Sequence, residues 1–95
     1  MIIRFGDIGK SLGTRDDGRR FRMQIVNGFN EQKKVELDFH GVEMVSNSFA
    51  DECIGKLVEE MGLEKLKSFT TFKNTSKNVA MVLQKVIKDR LASVC

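Results

Sequence analysis

Val35-Glu-Leu-Asp-Phe-His-Gly-Val-Glu-Met-Val-Ser-Asn-Ser-Phe-Ala-Asp-Glu52 is the stretch whose reading decides the fold. Val35, Leu37 and Phe39 alternate with Glu36, Asp38 and His40, the period of a strand with one dry and one wet face. Gly41 breaks the run, and Ser46 and Ser48 stand where a helix can be capped. Ser48-x-x-Asp51 matches a capping box, so Ser48 is the expected cap. Phe49, Cys53, Leu57 and Met61 recur every fourth residue, with Ile54 and Val58 widening the stripe, so an amphipathic helix follows and Gly62 ends it. Strand, polar corner and helix in this order place hydroxyls and free N–H groups at a helix N-terminus.

Working outward, Ile2 to Phe5 reads as a first strand, and Asp7 to Gly13 as a loop. Thr14 caps a helix with Asp16 and Asp17 in its first turn and an apolar line of Phe21, Ile25 and Phe29. Leu66 to Phe72, rich in Thr and Phe, is the expected third strand. Asn74, Thr75 and Ser76 make another polar corner. Val79, Val82, Leu83, Val86, Ile87, Leu91 and Val94 then trace a long helical stripe. The order is β-α-β-α-β-α in one domain, 1–95, with connections long enough for parallel crossovers. Because the second strand alternates, the small, mostly parallel sheet of this α/β domain should carry its helices mainly on one face. The other face, and an open sheet edge through which a homodimer could form, remain for a partner.

Composition sets further bounds. Apolar residues make up 41% and charged residues 31%, ordinary for a soluble domain. No apolar run is long enough to span a bilayer and the start is unlike a signal peptide, so a cytoplasmic protein without a membrane role is expected. Cys53 lies on an apolar stripe and Cys95 is the last residue, which is neither a disulfide framework nor a ligand set. The net charge of +3 divides into +4 over residues 1–35, −7 over 36–64 and +6 over 65–95. Such a dipolar pattern favours charge-complementary protein contacts, with a small basic nucleic-acid-binding module as the alternative.

Leu37-Asp38-Phe39-x-Gly41-Val42 followed by a serine-bearing helix start resembles the STAS-like family, modules related to anti-sigma-factor antagonists. Ser-Phe-Ala-Asp-Glu at the helix start, and Gly9-x-x-Leu12-Gly13-Thr14-Arg15 upstream, resemble its subgroup of unassigned function. The resemblance implies a regulatory protein-interaction module of a prokaryotic cell. It implies partners such as a histidine-kinase-type ATPase acting as an anti-sigma or switch kinase. Ser46 stands where the antagonists carry Asp, Asn47 aligns with their phosphorylated serine, and Phe49 replaces the next glycine. Phosphorylation on the family's own residue is thereby excluded, leaving Ser46 and Ser48 as candidate phosphorylation sites.

Chemistry beyond binding finds little footing. Gly6-Asp-Ile-Gly9-Lys10-Ser11 follows a strand, but a phosphate loop needs glycine where Arg4 stands. His40 is the sole histidine; Asp38, His40 and Ser48 form a trio on paper, without a stated convergence. No spacing matches a metal ligand set. No catalytic residue, metal or cofactor is therefore expected. Asp38 is expected to accept N–H bonds from the Gly41–Ser46 turn. In a parallel sheet the segments Gly6–Lys10, His40–Ser48 and Lys73–Ser76 meet at the strands' C-terminal ends. Lys10, Asp38, His40, Ser46, Asn47, Ser48 and Asn74 are the candidate partner-binding residues.

Overall fold

The computed structural model describes residues 1–93. In chain order these form β1 (Ile2–Arg4), a 3₁₀ turn (Phe5–Asp7), β2 (Ser11–Leu12), α1 (Arg15–Asn30), β3 (Val35–Asp38), β4 (Met44–Val45) and α2 (Asn47–Ala50). A π turn (Asp51–Gly55), α3 (Lys56–Met61), α4 (Leu63–Phe69), β5 (Thr70–Lys73) and α5 (Lys77–Ser93) complete the chain. The main sheet is parallel, in the order β1-β3-β5, with Ile3 opposite Leu37 and Leu37 opposite Phe72.

Alternation along β3 decides which face is covered. Val35, Leu37 and Phe39 are buried, Glu36 and Asp38 are half-buried, and His40 is exposed. Ile2, Arg4, Thr71 and Lys73 flank the β3 residues on the wet face and are also exposed or nearly so. Helices thus cover one face only. Beneath them, Phe5 sits at the centre of an aromatic cluster. Its ring stacks on Phe21 and Phe39, each 4.2 Å away between centroids, and meets the edge of Phe49 at 6.2 Å. Stacked and edge-on pairs satisfy the ring quadrupoles while burying large apolar area.

The helix at the middle of the covering layer is not uniform. On an ideal α-helix, eight residues leave Leu57 about 80° round from Phe49. The π turn lies between them and takes up that drift, so Phe49, Cys53, Ile54, Leu57 and Val58 are all buried. On either side pack α1 and α5. Gly18 of α1 makes the approach close: a Cβ there would lie 2.8 Å from the Phe49 carbonyl oxygen.

Several expectations are corrected. Leu66 to Phe72 is not a strand throughout: Leu63–Phe69 is α4, and only Thr70–Lys73 joins the sheet. Gly62, with φ of 86°, turns the chain between α3 and α4 in a conformation that suits glycine. Phe5 leaves β1 for the 3₁₀ turn, and the expected loop from Asp7 to Gly13 contains β2. This short strand pairs in parallel with β4 through Ser11–Met44 and Leu12–Val45. In α5, Val79, Leu83 and Val86 are buried and Val82 and Ile87 pack on the core, but Leu91 is 38% exposed and does not join them. Val94 lies outside the described residues.

Candidate functional site

Parallel strands deliver their C-terminal ends to one side of the molecule, and the loops that leave them enclose an open groove of about 720 Å³. The His40–Glu43 loop forms one wall, Asn74–Asn78 the other, and Lys10 closes the end. Main-chain bonds hold these walls. The amides of Glu43 and Met44 donate to the Lys10 carbonyl at 2.8 and 3.2 Å, and the Val42 amide to the Phe39 carbonyl at 3.0 Å. On the far wall, Ser76 caps α5 by accepting the Val79 amide at 3.2 Å.

Asp38 joins the two walls. Its Oδ1 accepts from the Asn74 side-chain amide and from the His40 backbone N–H, each at 2.9 Å. These bonds, the Asn74 amide foremost, hold its carboxyl below the usual carboxylate range. Asn74 reaches Asp38 from a left-handed backbone, φ 59°, a conformation that asparagine tolerates. The expected donors from the Gly41–Ser46 turn are replaced by these two. His40 itself is exposed and contributes its main chain to Asp38.

The serine corner lies elsewhere. Ser46, not Ser48, is the N-cap of α2. Its Oγ accepts the Phe49 amide at 3.0 Å and donates to the Gly13 carbonyl at 2.9 Å. The helix begins at Asn47, two residues earlier than a Ser48 cap requires, so Ser46 holds the capping position. Asn47 and Ser48 line a separate, smaller depression with Arg15, Asp51, Lys85 and Asp89. The structure therefore brings Lys10, Asp38, His40 and Asn74 together and sets Ser46, Asn47 and Ser48 apart from them. The paper trio of Asp38, His40 and Ser48 is split between two surfaces.

Sequence reading missed what the acidic segment does. Glu52 is buried, 6% exposed, and receives three cations. Arg22 bonds its Oε2 at 2.7 Å, Lys56 the same oxygen at 3.0 Å, and Arg15 its Oε1 at 3.2 Å. Led by the Arg22 hydrogen bond, they pull the Glu52 carboxyl down to about 2. Next to it, Asp51 takes a two-point grip from Arg90, with both N···O distances 2.8 Å, and Arg90 also bonds Glu59. Asp51 is lowered and Arg90 raised by that mutual contact. A signal was available: Glu52 directly precedes Cys53 on the buried stripe, where a lone acid demands partners. Asp51 and Glu52, the acids that flank this corner, are thus already paired with cations. Cys53 is fully buried, and burial raises its thiol pKa.

Among the described residues, no three His, Cys, Asp or Glu side chains cluster to hold a metal ion, and no helix is long and apolar enough to cross a membrane. Comparison with curated proteins and with solved structures found no match. The family model for the STAS-like domain of unknown function (DUF4325) matches residues 17–80, which run from α1 into α5 and include both depressions' β3 and α2 elements. In keeping with its one-sided parallel sheet and strand–corner–helix unit, the chain belongs to that STAS-like family.

Proposed function

We propose that the domain is a non-catalytic regulatory module that receives a protein partner at the C-terminal end of its sheet. The groove between the His40–Glu43 loop and the Asn74–Asn78 wall is the observation that carries this reading. A buried scaffold presents loops to solvent there, the usual setting of a binding surface. Lys10, Lys77, Asn74 and Asn78 offer exposed polar groups along it. Likeness to anti-sigma-factor antagonists supplies the partner class, an ATPase of the histidine-kinase kind, as a fold-level analogy. Regulation by phosphate falls to Ser48 in this reading. Ser46 spends its hydroxyl on two bonds, whereas Ser48 shares its depression with Arg15 and Lys85, which a phosphate there would have to draw from their present partners Asp51, Glu52 and Asp89. The nucleic-acid alternative draws less support, because carboxylates already occupy Arg15, Arg22, Lys56 and Arg90.

Affinity capture from native cells tests the proposal, with the wild type, a Lys10→Glu/Lys77→Glu variant and a Lys65→Glu/Lys67→Glu control. An ATP-binding partner should be recovered by the wild type and the control, and fall about tenfold with the groove variant, the scale of losing contact charges. Partner loss with the control alone, or recovery of nucleic acid in its place, overturns the reading.

A further inference from the structure

Among the described residues, nothing covers an apolar shelf beside the last strand of the main sheet. β5 is an edge strand. The Phe39 amide donates to the Lys73 carbonyl at 2.9 Å. Backbone groups of successive residues in a strand point to opposite sides, so Lys73 and Thr71 face β3 while Phe72 turns its N–H and C=O outward. The Thr70 carbonyl points the same way, its N–H closing α4 on the Leu66 carbonyl. Just beyond this edge, Phe72, Thr75, Ala80, Leu83, Gln84 and Ile87 line a groove of about 180 Å³. α5 supplies Ala80, Leu83 and Ile87 to this groove, so the position of one more strand has an apolar floor and hydrogen-bonding groups along its side.

Charge selects the occupant. Lys88 is exposed and enters no ion pair among the described residues, whereas Lys85 pairs with Asp89 and Arg90 with Asp51. Lys88 follows Gln84 by one helical turn and so stands on the rim of this groove. A second copy docking edge to edge would set basic residues against basic residues. An acidic segment meets them with opposite charge.

We propose that the β5 edge accepts an extended acidic segment of a partner protein as a fourth strand, seating alternate apolar side chains on Phe72, Leu83 and Ile87. Main-chain bonds to Phe72 and Thr70 supply affinity in this mode, and the shelf supplies side-chain selectivity. The surface is distinct from the groove at the strand ends, so either can fail without the other.

The test is selection on the intact domain from a displayed library of random peptides of about eight residues, long enough for one strand. Enriched peptides should alternate apolar and acidic residues. A synthetic peptide of the enriched sequence should slow hydrogen exchange at the Phe72 amide about tenfold or more. Lys88→Glu, an exposed change that leaves the fold intact, should weaken that peptide about tenfold, and Ile87→Lys should abolish binding. Lys10→Glu/Lys77→Glu should bind it as the wild type does. Enriched peptides with helical spacing overturn the proposal, as does the absence of any binder sensitive to Lys88→Glu. An unchanged Phe72 amide overturns it too. Sedimentation showing that the wild type pairs with itself through this edge transfers the shelf to a second copy.

Discussion

On the middle helix, Glu52 is enclosed by Arg15, Arg22 and Lys56; at the strand ends, Lys10 and Lys77 are exposed and enter no ion pair among the described residues. Both regions use charged side chains, but to opposite ends. In the first, Asp51, Glu52 and Glu59 of the 36–64 segment pair with arginines of α1 and α5, and part of the sequence's charge contrast is spent inside the chain. A buried charge left alone costs several kcal/mol, so each partner there is obligatory for the others. At the strand ends, Asp38 and Asn74 engage one another, and the exposed lysines are left for whatever docks. Blocks of opposite charge in a sequence therefore do not measure how much charge a surface offers. The fold decides that by which blocks it packs together.

The contrast breaks first at the aromatic core under both regions. Phe5→Ala should cost about 3–5 kcal/mol, the range for removing a buried ring, read as a lower midpoint in chemical denaturation. A loss below about 1 kcal/mol would mean that Phe21, Phe39 and Phe49 close over the gap. Next comes the ion cluster. Glu52→Gln should cost about 3 kcal/mol by leaving Arg22 without its anion. Its pH behaviour sharpens the point. A carboxyl lowered from 4.5 to about 2 on folding contributes stability that is fully present above 4.5 and is lost as pH falls towards 2. That contribution is about 2 kcal/mol once water on the Arg15 side is allowed for. Wild type should lose it between those pH values, and Glu52→Gln should show a flatter profile in the same titration.

Smaller effects separate the two serines. Ser46→Ala should cost about 1 kcal/mol as a lost cap, and Ser48→Ala only a few tenths. Equal effects in thermal denaturation would return the cap to Ser48. Smallest of all are the groove lysines: Lys10→Glu/Lys77→Glu should shift stability by less than about 0.5 kcal/mol. A large shift there would show that the groove, like the Glu52 cluster, is structural.

How legible the molecule is in its sequence depends on the length of each element. β3 and α5 carry several repeats of their period, and their buried faces follow it residue by residue, apart from Leu91 near the end. Two-residue strands carry no period at all, so nothing in Ser11-Leu12 or Met44-Val45 announces that they pair. α4 was hidden by composition: Thr70, Thr71 and Phe72 have strand preferences that mask Leu63, Leu66 and Phe69, whose three-residue spacing is helical. Here packing and the turn at Gly62 overrode local propensity. The site divided for a similar reason. Convergence of Lys10, His40 and Asn74 follows from a parallel sheet, which is readable. The separation of Ser48 from them goes with α2 starting two residues earlier than the capping box implies, and boundaries of that kind are set by tertiary contact.

Gly6 leads to a last consequence. A Cβ on it would fall 2.2 Å from the His40 carbonyl oxygen, so the turn after β1 presses main chain against main chain under the groove's wall. The Lys10 carbonyl braces the same wall through two amides. A rim fixed by backbone keeps its shape when its side chains are exchanged. Mutational drift at Lys10, His40, Glu43, Lys77 and Asn78 can therefore rewrite which partner is recognised while the cost of ordering the surface stays paid in advance. Gly6 is where that freedom ends, because a larger residue there displaces the wall itself.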